Sequence, residues 1–219
     1  MTSQTDVRYA ELDGLMFAFD ERVLAPRAWT QAQSAWARDL LDDLPSGPIL
    51  ELCSGVGHIG LLALRGNARS LVMVDASDAA CGHARVNAVA AGLDHRVEVR
   101  VGRLETSLIP AERFAMVLAD PPWVPSDDVS RFPEDPVAAI DGGADGLGPT
   151  RACLEAIDAH LDEHGCAIVQ VGSRRHVEGI EAWLRDRPSL ALELVETREF
   201  GLRGVLCLLR RHGREAPSC

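Results

Sequence analysis

The sequence predicts an α/β fold built on a mostly parallel sheet. Three observations support this prediction: apolar runs typical of buried strands alternate with amphipathic segments, the alternation continues over most of the 219 residues, and glycine or proline separates successive segments. Parallel strands need a crossover connection, and the intervening helices supply it. A chain of this length, with 47% hydrophobic residues, is long enough for a domain with a substantial core.

The first part of the chain, residues 1–44, is predicted to be an N-terminal extension that covers the functional site. Residues 1–5 are polar and are expected to be disordered, whereas the run LMFAF at 15–19 indicates a short strand or hairpin arm. In residues 29–44 apolar side chains recur at helical spacing, which predicts a first amphipathic helix with Thr30 near its start. Residues 45–219 form the main domain, and the two parts are expected to make one compact unit.

Strands and helices alternate along the main domain. The predicted strands are 48–53, 70–75, 97–101, 114–119 and 166–171. The predicted helices are 59–65, 78–91, 149–160 and 176–185. Two further strand-like runs, 190–196 and 205–209, have no helix between them, which predicts an antiparallel hairpin at the edge of the sheet.

The charge and the cysteine pattern argue against several classes of function. The net charge of −11 provides no broad positive field to attract phosphate backbones, so a nucleic-acid partner is disfavoured. All 22 basic residues are arginine, a bias typical of a GC-rich bacterial genome. The six cysteines form neither a CxxC pair nor a zinc-ligand spacing with histidine, so neither a metal site nor a disulfide framework is expected.

The hydropathy pattern gives no sign of a membrane segment. No apolar run approaches the ~20 residues that cross a bilayer, and the first residues lack the basic and then apolar pattern of a targeting signal. A soluble, cytoplasmic protein is therefore expected.

A glycine-rich loop, ELCSGVGHIG at 51–60, follows the first strand of the main domain. Gly55 and Gly57 allow a tight turn and a close approach of the backbone to a ligand, and Asp75 ends the next strand where a carboxylate can hold both ribose hydroxyls. Glu51 precedes the loop. An acid there suits a cofactor with a cationic amino-acid end and no phosphates, so S-adenosylmethionine fits better than NAD. The alternatives are a simple tight turn and a solvated strand-end acid.

The strand at 114–119 ends abruptly in a DPPW motif. Proline nitrogens cannot donate to a ladder, so the strand stops there and its last residues face an open edge. Asp120, through its carboxylate, and Pro121, through its carbonyl, can accept both N–H bonds of an amide or aromatic amine. Trp123 offers a flat surface for stacking, and the carboxylate stabilises charge that grows on a nitrogen receiving a methyl group. We therefore predict a catalytic role for the quartet that Pro122 completes; the alternative is a proline-capped strand end with Trp123 in the core.

Three stretches of the chain carry a resemblance to a known family. VLAPRAWT at 23–30 is similar to VLIPRPET, DPPWVPSDD at 120–128 is similar to NPPYIPS-D, and 134–151 resembles an EP-x-x-AL-x-GG-x-DGL segment. These are motifs of the HemK/PrmC protein-glutamine N-methyltransferases, within the class I S-adenosylmethionine-dependent methyltransferases. The resemblance runs from about residue 14 onward. It implies a Rossmann-like class I methyltransferase fold, with a mostly parallel seven-stranded sheet, a reversed last strand, and helices on both faces.

The resemblance also implies a donor, an acceptor and a set of site residues. Residues 45–219 would be the catalytic domain, the donor would be S-adenosyl-L-methionine, and the favoured acceptor type is the side-chain amide of a protein glutamine. No metal ligand is expected. The residues assigned to the cofactor, from the motifs and the resemblance together, are Thr30, Glu51, Cys53, Gly55, Gly57, Asp75, Ala76, Gly102, Arg103 and Asp120.

Several departures from the family pattern bear on the acceptor. Asp120 and Trp123 replace an asparagine and a tyrosine, and the resulting DPPW quartet also resembles methyltransferases of the adenine exocyclic amine. Arg103 stands where the family usually has an acid that meets the adenine amine of the cofactor. The helical N-terminal domain that docks the substrate of release-factor methyltransferases is expected to be absent. Because shorter relatives without it work with a small zinc-binding subunit, a small activator partner is a further expectation.

Four hypotheses of function follow. The first is methylation of a glutamine amide in a protein, and the second is methylation of a small planar amine or amide in a biosynthetic pathway. The third is methylation of adenine in nucleic acid, which the DPPW motif favours and the net charge opposes. The fourth is a cofactor-binding protein without turnover, for which Arg103 is the only hint.

Two more features are expected at the same edge of the sheet. The loop 141–146, DGGADG, is either a lid that closes on the acceptor or a solvated surface loop. His58 either touches the cofactor carboxylate or is an ordinary helix-start residue.

Overall fold

The structure, a computed structural model, describes residues 6–212; the expected disorder of residues 1–5 lies outside this range. The strands are β1 Arg8–Leu12, β2 Leu15–Phe19, β3 Ile49–Leu52, β4 Leu71–Asp75, β5 Val97–Val101, β6 Phe114–Ala119, β7 Leu161–Val171, β8 Leu192–Glu199 and β9 Val205–Arg211. The α-helices are α1 Gln31–Leu41, α2 His58–Ala63, α3 Asp78–Ala90, α4 Leu104–Ser107, α5 Val137–Ile140, α6 Gly148–His160 and α7 Arg174–Arg185. Short 3₁₀ turns lie at Ala28–Thr30, Asp94–Arg96, Ser126–Arg131 and Gly201–Arg203.

The main sheet has seven strands in the order β5-β4-β3-β6-β7-β9-β8. Strands β3 to β7 pair in parallel, while β9 runs antiparallel to both of its neighbours, β7 and β8. The seven-stranded sheet with a reversed last strand is therefore confirmed, and so is the predicted antiparallel hairpin. The last strand of the described residues, β9, lies inside the sheet, and β8 forms its edge.

Successive residues of the central strands pack on opposite faces of the sheet. Ile49 of β3 and Met116 of β6 join the core cluster that contains Trp36 of α1. Leu50 and Val117, their neighbours in sequence, join the cluster that contains the apolar side chains of α6 and α7. Burial of both faces explains why these strands are continuous apolar runs, since each fully buried side chain contributes about 1.5–3 kcal/mol.

The predicted elements are found with boundaries shifted by a few residues, and two differ more. The first helix, predicted over 29–44, is α1 preceded by the 3₁₀ turn, because the Thr30 hydroxyl donates to the carbonyl of Arg27 instead of capping α1. Strand β7 begins at Leu161, earlier than the predicted 166, with a register shift against β6 between Phe114 and Met116. The helices α4 and α5 were not predicted, since four residues are too few to show a helical period.

The hairpin of β1 and β2 is fixed to the main domain by Asn87 of α3. Its side-chain oxygen accepts from the amide of Ala18 at 2.7 Å, and its amide group donates to the carbonyls of Ala18 and Val56 at 3.1 and 3.0 Å. The hairpin arm predicted at 15–19 is therefore confirmed, and the outer edge of β2 is satisfied by a side chain of the main domain.

Within residues 6–212, no helix combines the length and the apolar character that crossing a bilayer requires. That part of the chain also contains no group of three or more His, Cys, Asp or Glu side chains arranged to hold a metal ion. The five cysteines of the described range are free thiols.

Candidate functional site

A cavity of about 470 Å³ opens at the carboxyl ends of β3, β4, β5 and β6. In open α/β sheets ligands bind outside this edge, where the loops that follow the parallel strands diverge. Two further walls come from outside the sheet: the segment 22–30 between β2 and α1, and the segment 136–139 that includes α5. The cavity is therefore bounded on one side by strand ends and on the other by two connecting segments.

Most of the predicted site residues meet at this cavity. Those that line it are Thr30, Cys53, Gly55, Asp75, Ala76, Gly102, Arg103, Asp120 and Pro122. The remaining four, Glu51, Gly57, Pro121 and Trp123, lie behind the lining residues or beside the cavity.

The glycine loop is closed by the carboxylate of Asp75. Its two oxygens accept hydrogen bonds from the backbone amides of Gly55 and Ser77, each at 2.8 Å. Burial raises the pKa of Asp75 despite these two bonds, because the group has lost much of its hydration. Gly57 has φ +80°, and a Cβ there would lie 2.8 Å from the sulfur of Met73, so this position excludes a side chain.

Glu51 lies beneath the loop and is almost completely buried, with 2% of its surface exposed. Neither carboxyl oxygen has a hydrogen-bond partner that meets strict geometry, although the amide of Gly60 is close enough to lower the pKa somewhat. Burial dominates and raises the pKa of Glu51 to about 8, with a smaller contribution from Asp120 and Asp75. A buried acid without a partner is costly, so a cation bound nearby would stabilise its charged form.

Asp120 and Pro121 present two free hydrogen-bond acceptors at the tip of β6. No residue in the described range donates to the Asp120 carboxyl or to the Pro121 carbonyl. Asp120 is half-buried, and loss of hydration raises its pKa to about 7. The group is therefore balanced between its neutral and charged forms near neutral pH.

Trp123 packs beside the cavity. Its indole lies against Gly172 at the end of β7, and its ring centroid is 6.4 Å from that of His176. The ring remains partly exposed. Its predicted stacking with an acceptor stays a prediction, and the observed packing fixes the direction of the chain that follows Asp120.

His58 and Thr30 connect the helix α2 to the segment before α1. The Thr30 hydroxyl donates its single proton to the carbonyl of Arg27 at 2.7 Å, so the 2.7 Å contact with His58 Nε2 requires Nε2–H to be the donor. Burial lowers the pKa of His58 to about 4, so its ring is neutral. His58 is thus more than a helix-start residue, because it holds the neighbouring wall of the cavity.

Two predicted cofactor residues occupy contrasting positions at the cavity. The sulfur of Cys53 lies 3.9 Å from that of Cys153 in α6; this contact and then burial raise the pKa of Cys53, which agrees with a packing role. Arg103 is largely exposed, with 80% of its side chain accessible, and it lies 3.4 Å from Glu105. Its charge therefore remains hydrated at the mouth of the cavity.

The loop 141–146 is tied to the chain that follows the DPPW motif. Val124 exchanges backbone hydrogen bonds with Ile140 and Gly142 at 2.9 and 2.7 Å. Asp141 accepts from the hydroxyl of Ser126 at 2.7 Å, so this acid stabilises the loop. Bonds of this kind favour a fixed loop over a freely moving lid.

The sequence reasoning missed Gln33, which is completely buried beneath the strand ends. Its amide nitrogen donates to the carbonyls of Ala119 and Ile168 at 3.1 and 2.8 Å, and so joins the end of β6, next to Asp120, to the neighbouring strand β7. A glutamine on the apolar stripe of α1, three residues before Trp36, was the available signal.

Comparison with known proteins gives a consistent picture. A family model described as the methyltransferase small domain matches residues 32–132. A ribosomal protein uL3 glutamine methyltransferase from Burkholderia pseudomallei is 31% identical over 188 residues, which are 77% of this chain and 59% of that protein. A ribosomal protein uL3 glutamine methyltransferase from Bordetella pertussis is 30% identical over 206 residues, which are 87% of this chain and 68% of that protein. A release factor glutamine methyltransferase from Agrobacterium fabrum is 33% identical over 175 residues, covering 75% and 60%.

The chain thus spans about three fifths of the length of the first of these relatives. Solved structures share its fold at lower identity. A ribosomal protein L11 methylase from Lactobacillus delbrueckii superimposes with a TM-score of 0.60 at 16% identity, covering 84% of this chain and 80% of the other. An S-adenosylmethionine-dependent methyltransferase from Agrobacterium tumefaciens gives a TM-score of 0.63 at 14% identity, covering 95% and 71%.

Proposed function

Because the chain belongs to the HemK/PrmC-like glutamine methyltransferases, within the class I S-adenosylmethionine-dependent methyltransferases, we propose that it methylates the side-chain amide of a protein glutamine. The observation that carries this proposal is the pair of free acceptors, the Asp120 carboxyl and the Pro121 carbonyl, beside the cavity. A primary amide has two N–H bonds, and two acceptors match them.

The residues around the cavity fit S-adenosylmethionine. Glu51 is a buried acid whose two carboxyl oxygens lack a well-aligned hydrogen-bond donor. Such an acid suits a cofactor that carries an ammonium group, because the positive charge stabilises the carboxylate. Gly55 and Gly57 place no side chain at two positions of the loop, and Asp75 provides a carboxylate suited to the ribose hydroxyls. The cofactor supplies a methyl group on a sulfonium, and the remaining work is done by protein groups. Thr30 and His58 hold the wall beside this site.

The acceptor nitrogen needs orientation more than chemical activation. Its lone pair is delocalised into the amide, so the nitrogen must be turned toward the methyl group at a near-attack distance. Asp120 and Pro121 would accept hydrogen bonds from the two N–H groups, and Pro122 restricts the backbone of Pro121, which precedes it. As positive charge grows on the nitrogen, the Asp120 carboxylate stabilises it, and its raised pKa allows it to accept the departing proton.

We also propose that residues 1–44 act as a cover for the site and that residues 45–219 carry the chemistry. The support for this division is that residues 22–30 line the cavity while the hairpin before them is docked on α3. An acceptor presented by a protein would enter beside this cover. The small activator subunit expected from shorter relatives stays a prediction.

The experiment that tests the function uses S-adenosylmethionine labelled on its methyl group and separated protein, nucleic-acid and small-molecule fractions of a bacterial lysate. We expect label on glutamine side chains in the protein fraction. D120A should reduce the transfer about 100-fold, which is the range for loss of one group that stabilises transition-state charge. D42A, at an exposed acid beyond α1, is the matched control and should transfer at the wild-type rate.

Three other outcomes of these experiments would each reject one part of the proposal. Label in the small-molecule or nucleic-acid fraction alone would reject the protein acceptor and favour the corresponding alternative. Absence of S-adenosylmethionine binding by calorimetry would reject the proposed donor. Equal transfer by D120A and D42A would reject the role of Asp120.

A further inference from the structure

Two walls of the cavity that are far apart in the sequence are joined by one ion pair. Arg27 belongs to the segment 22–30, and Asp135 directly precedes the segment 136–139. The Arg27 nitrogen Nη2 lies 2.5 and 2.7 Å from the two carboxylate oxygens of Asp135. Because 108 residues separate the partners in the chain, this contact exists only when both walls are in place.

The pair lies at the rim of the cavity in a partly buried position. The Arg27 side chain lines the cavity and is 31% exposed, while that of Asp135 is 11% exposed. Charge-assisted hydrogen bonds with this degree of burial are stronger than those of exposed surface pairs. The guanidinium carbon of Arg27 lies 5.6 Å from the ring centroid of Trp29, which adds a cation–π contact to the ion pair.

Proline stiffens the chain next to each partner. Pro26 precedes Arg27, and Pro136 follows Asp135. Proline fixes its own φ and restricts the residue before it, so Pro26 stiffens the backbone that leads into Arg27 and Pro136 restricts the backbone of Asp135. The backbone beside each partner is therefore stiff.

A chain of hydrogen bonds also connects Arg27 to the helix that follows the glycine loop. The carbonyl of Arg27 accepts from the amide and the hydroxyl of Thr30 at 3.1 and 2.7 Å, and the same hydroxyl oxygen accepts from His58 at the start of α2. A chain of direct contacts thus runs from Asp135 to the helix that follows Gly57. Movement at the rim would reach the part of the site assigned to the cofactor.

We propose that Arg27 and Asp135 are positioning residues whose ion pair holds the cavity closed around the cofactor, and that the pair must separate before the cofactor can exchange. This inference rests on the proposed function, since it concerns the cofactor of that same site. Neither side chain is assigned contact with a reacting atom. The pair acts by holding the segments 22–30 and 136–139 together.

The test compares R27Q and D135N, alone and combined, with the exposed pair Arg174 and Glu199 as control. The control partners lie 3.0 Å apart with 62% and 55% of their side chains exposed, and R174Q and E199Q remove the same charges. Two quantities are measured: the dissociation rate of labelled S-adenosylmethionine chased with excess unlabelled cofactor, and amide hydrogen exchange of the ligand-free protein.

We expect R27Q and D135N each to speed dissociation about tenfold, which corresponds to about 1.4 kcal/mol. The double variant should be no faster than either single variant, because both remove the same contact. Amides in the segments 22–30 and 136–139 should exchange faster, while the urea midpoint and the control variants stay close to wild type. A merely structural role would instead shift the midpoint and leave the dissociation rate unchanged.

Three results would overturn the proposal: wild-type dissociation in both single variants, additive effects in the double variant, or unchanged exchange in both wall segments. D135N keeps the shape of the side chain, so the test remains decisive if R27Q folds poorly. If the wild-type protein does not bind S-adenosylmethionine, the proposed function fails first. Hydrogen exchange still decides then whether the pair holds the two walls together.

Discussion

Asp120 and Glu51 are acids whose buried environment raises their pKa values to near neutral pH. Burial raises the pKa of Asp120 to about 7 and that of Glu51 to about 8, and the charge of Asp120 adds to the cost of ionising Glu51. Acids with raised pKa values cluster at functional sites, because the surrounding fold tolerates their cost for a chemical purpose. Asp120 faces the cavity and Glu51 lies beneath it, so only Asp120 is placed to contact an acceptor.

The pKa of Asp120 leads to a prediction about the rate of methyl transfer. An acid with a pKa of about 7 gains its charge as pH rises from 6 to 8, and the charged form stabilises the transition state, so kcat/KM should rise over this range. D120N keeps an acceptor oxygen but does not titrate. Its kcat/KM should be about tenfold lower at pH 8, because it lacks the stabilising charge, and should depend less on pH.

The same measurement on E51Q is the control, since Glu51 titrates in a similar range. If D120N shows the full wild-type rise of kcat/KM and E51Q does not, Glu51 is the titrating group and the role given to Asp120 is wrong.

At the scale of elements, the packing of Trp123 against the junction between β7 and α7 determines the path of the chain after the DPPW quartet. The indole lies directly on Gly172, and a Cβ at this glycine would overlap its six-membered ring. Val124, next in the chain, then pairs with the loop 141–146. The tip of β6 is therefore fixed from both sides, by Gln33 beneath Ala119 and by this packing beyond Trp123.

This packing predicts the effect of G172A. The added methyl group must displace the indole or the backbone, so we expect a loss of about 1–3 kcal/mol in the free energy of unfolding, as for other overpacked sites. The transfer rate should fall about tenfold, because the segment that carries Asp120 moves. Urea denaturation and single-turnover kinetics measure the two effects.

The matched control is G82A on the exposed face of α3, where nothing lies within 4 Å of an added Cβ. It should gain about 0.5–1 kcal/mol, since alanine favours a helix interior, and should keep the wild-type rate. Wild-type stability and rate in G172A would contradict the fixed position of Trp123.

At the scale of the whole molecule, the site affects the stability of the fold. An acid whose pKa is raised on folding contributes stability that is complete below its unfolded value and is lost as pH rises through the folded value. The pKa of Glu51 is 4.5 in the unfolded chain and about 8 in the folded protein, so its contribution to stability is lost progressively between these two pH values. His58 acts in the opposite sense at lower pH, because burial lowers its pKa to about 4 from 6.5.

E51Q is therefore expected to gain stability relative to the wild type as pH rises from 5 to 8, by about 3–4 kcal/mol in total. The difference between the two proteins isolates Glu51, because His58 titrates equally in both. Urea unfolding at four pH values measures it in the absence of cofactor. A difference that stays constant with pH would show that Glu51 is already charged in the folded protein.

The sequence by itself determined the order of strands and helices, the glycine loop and the abrupt end of β6. These features depend on local periods and on the backbone limits of proline and glycine, which act over a few residues. It also placed Asp75 and Asp120 at one edge, because parallel strands bring their carboxyl ends together. Most of the predicted site residues accordingly line one cavity.

Only the tertiary structure decided how the remaining parts come together. It placed β9 between β7 and β8 and buried Glu51 without a well-aligned hydrogen-bond donor. It also packed Trp123 on Gly172 and joined Arg27 to Asp135 across the cavity. Each of these depends on contacts between segments distant in the chain, which no local period reports. The physical reason is that burial and charge pairing are properties of the assembled surfaces, whereas the period of a strand or helix is already present in its own residues.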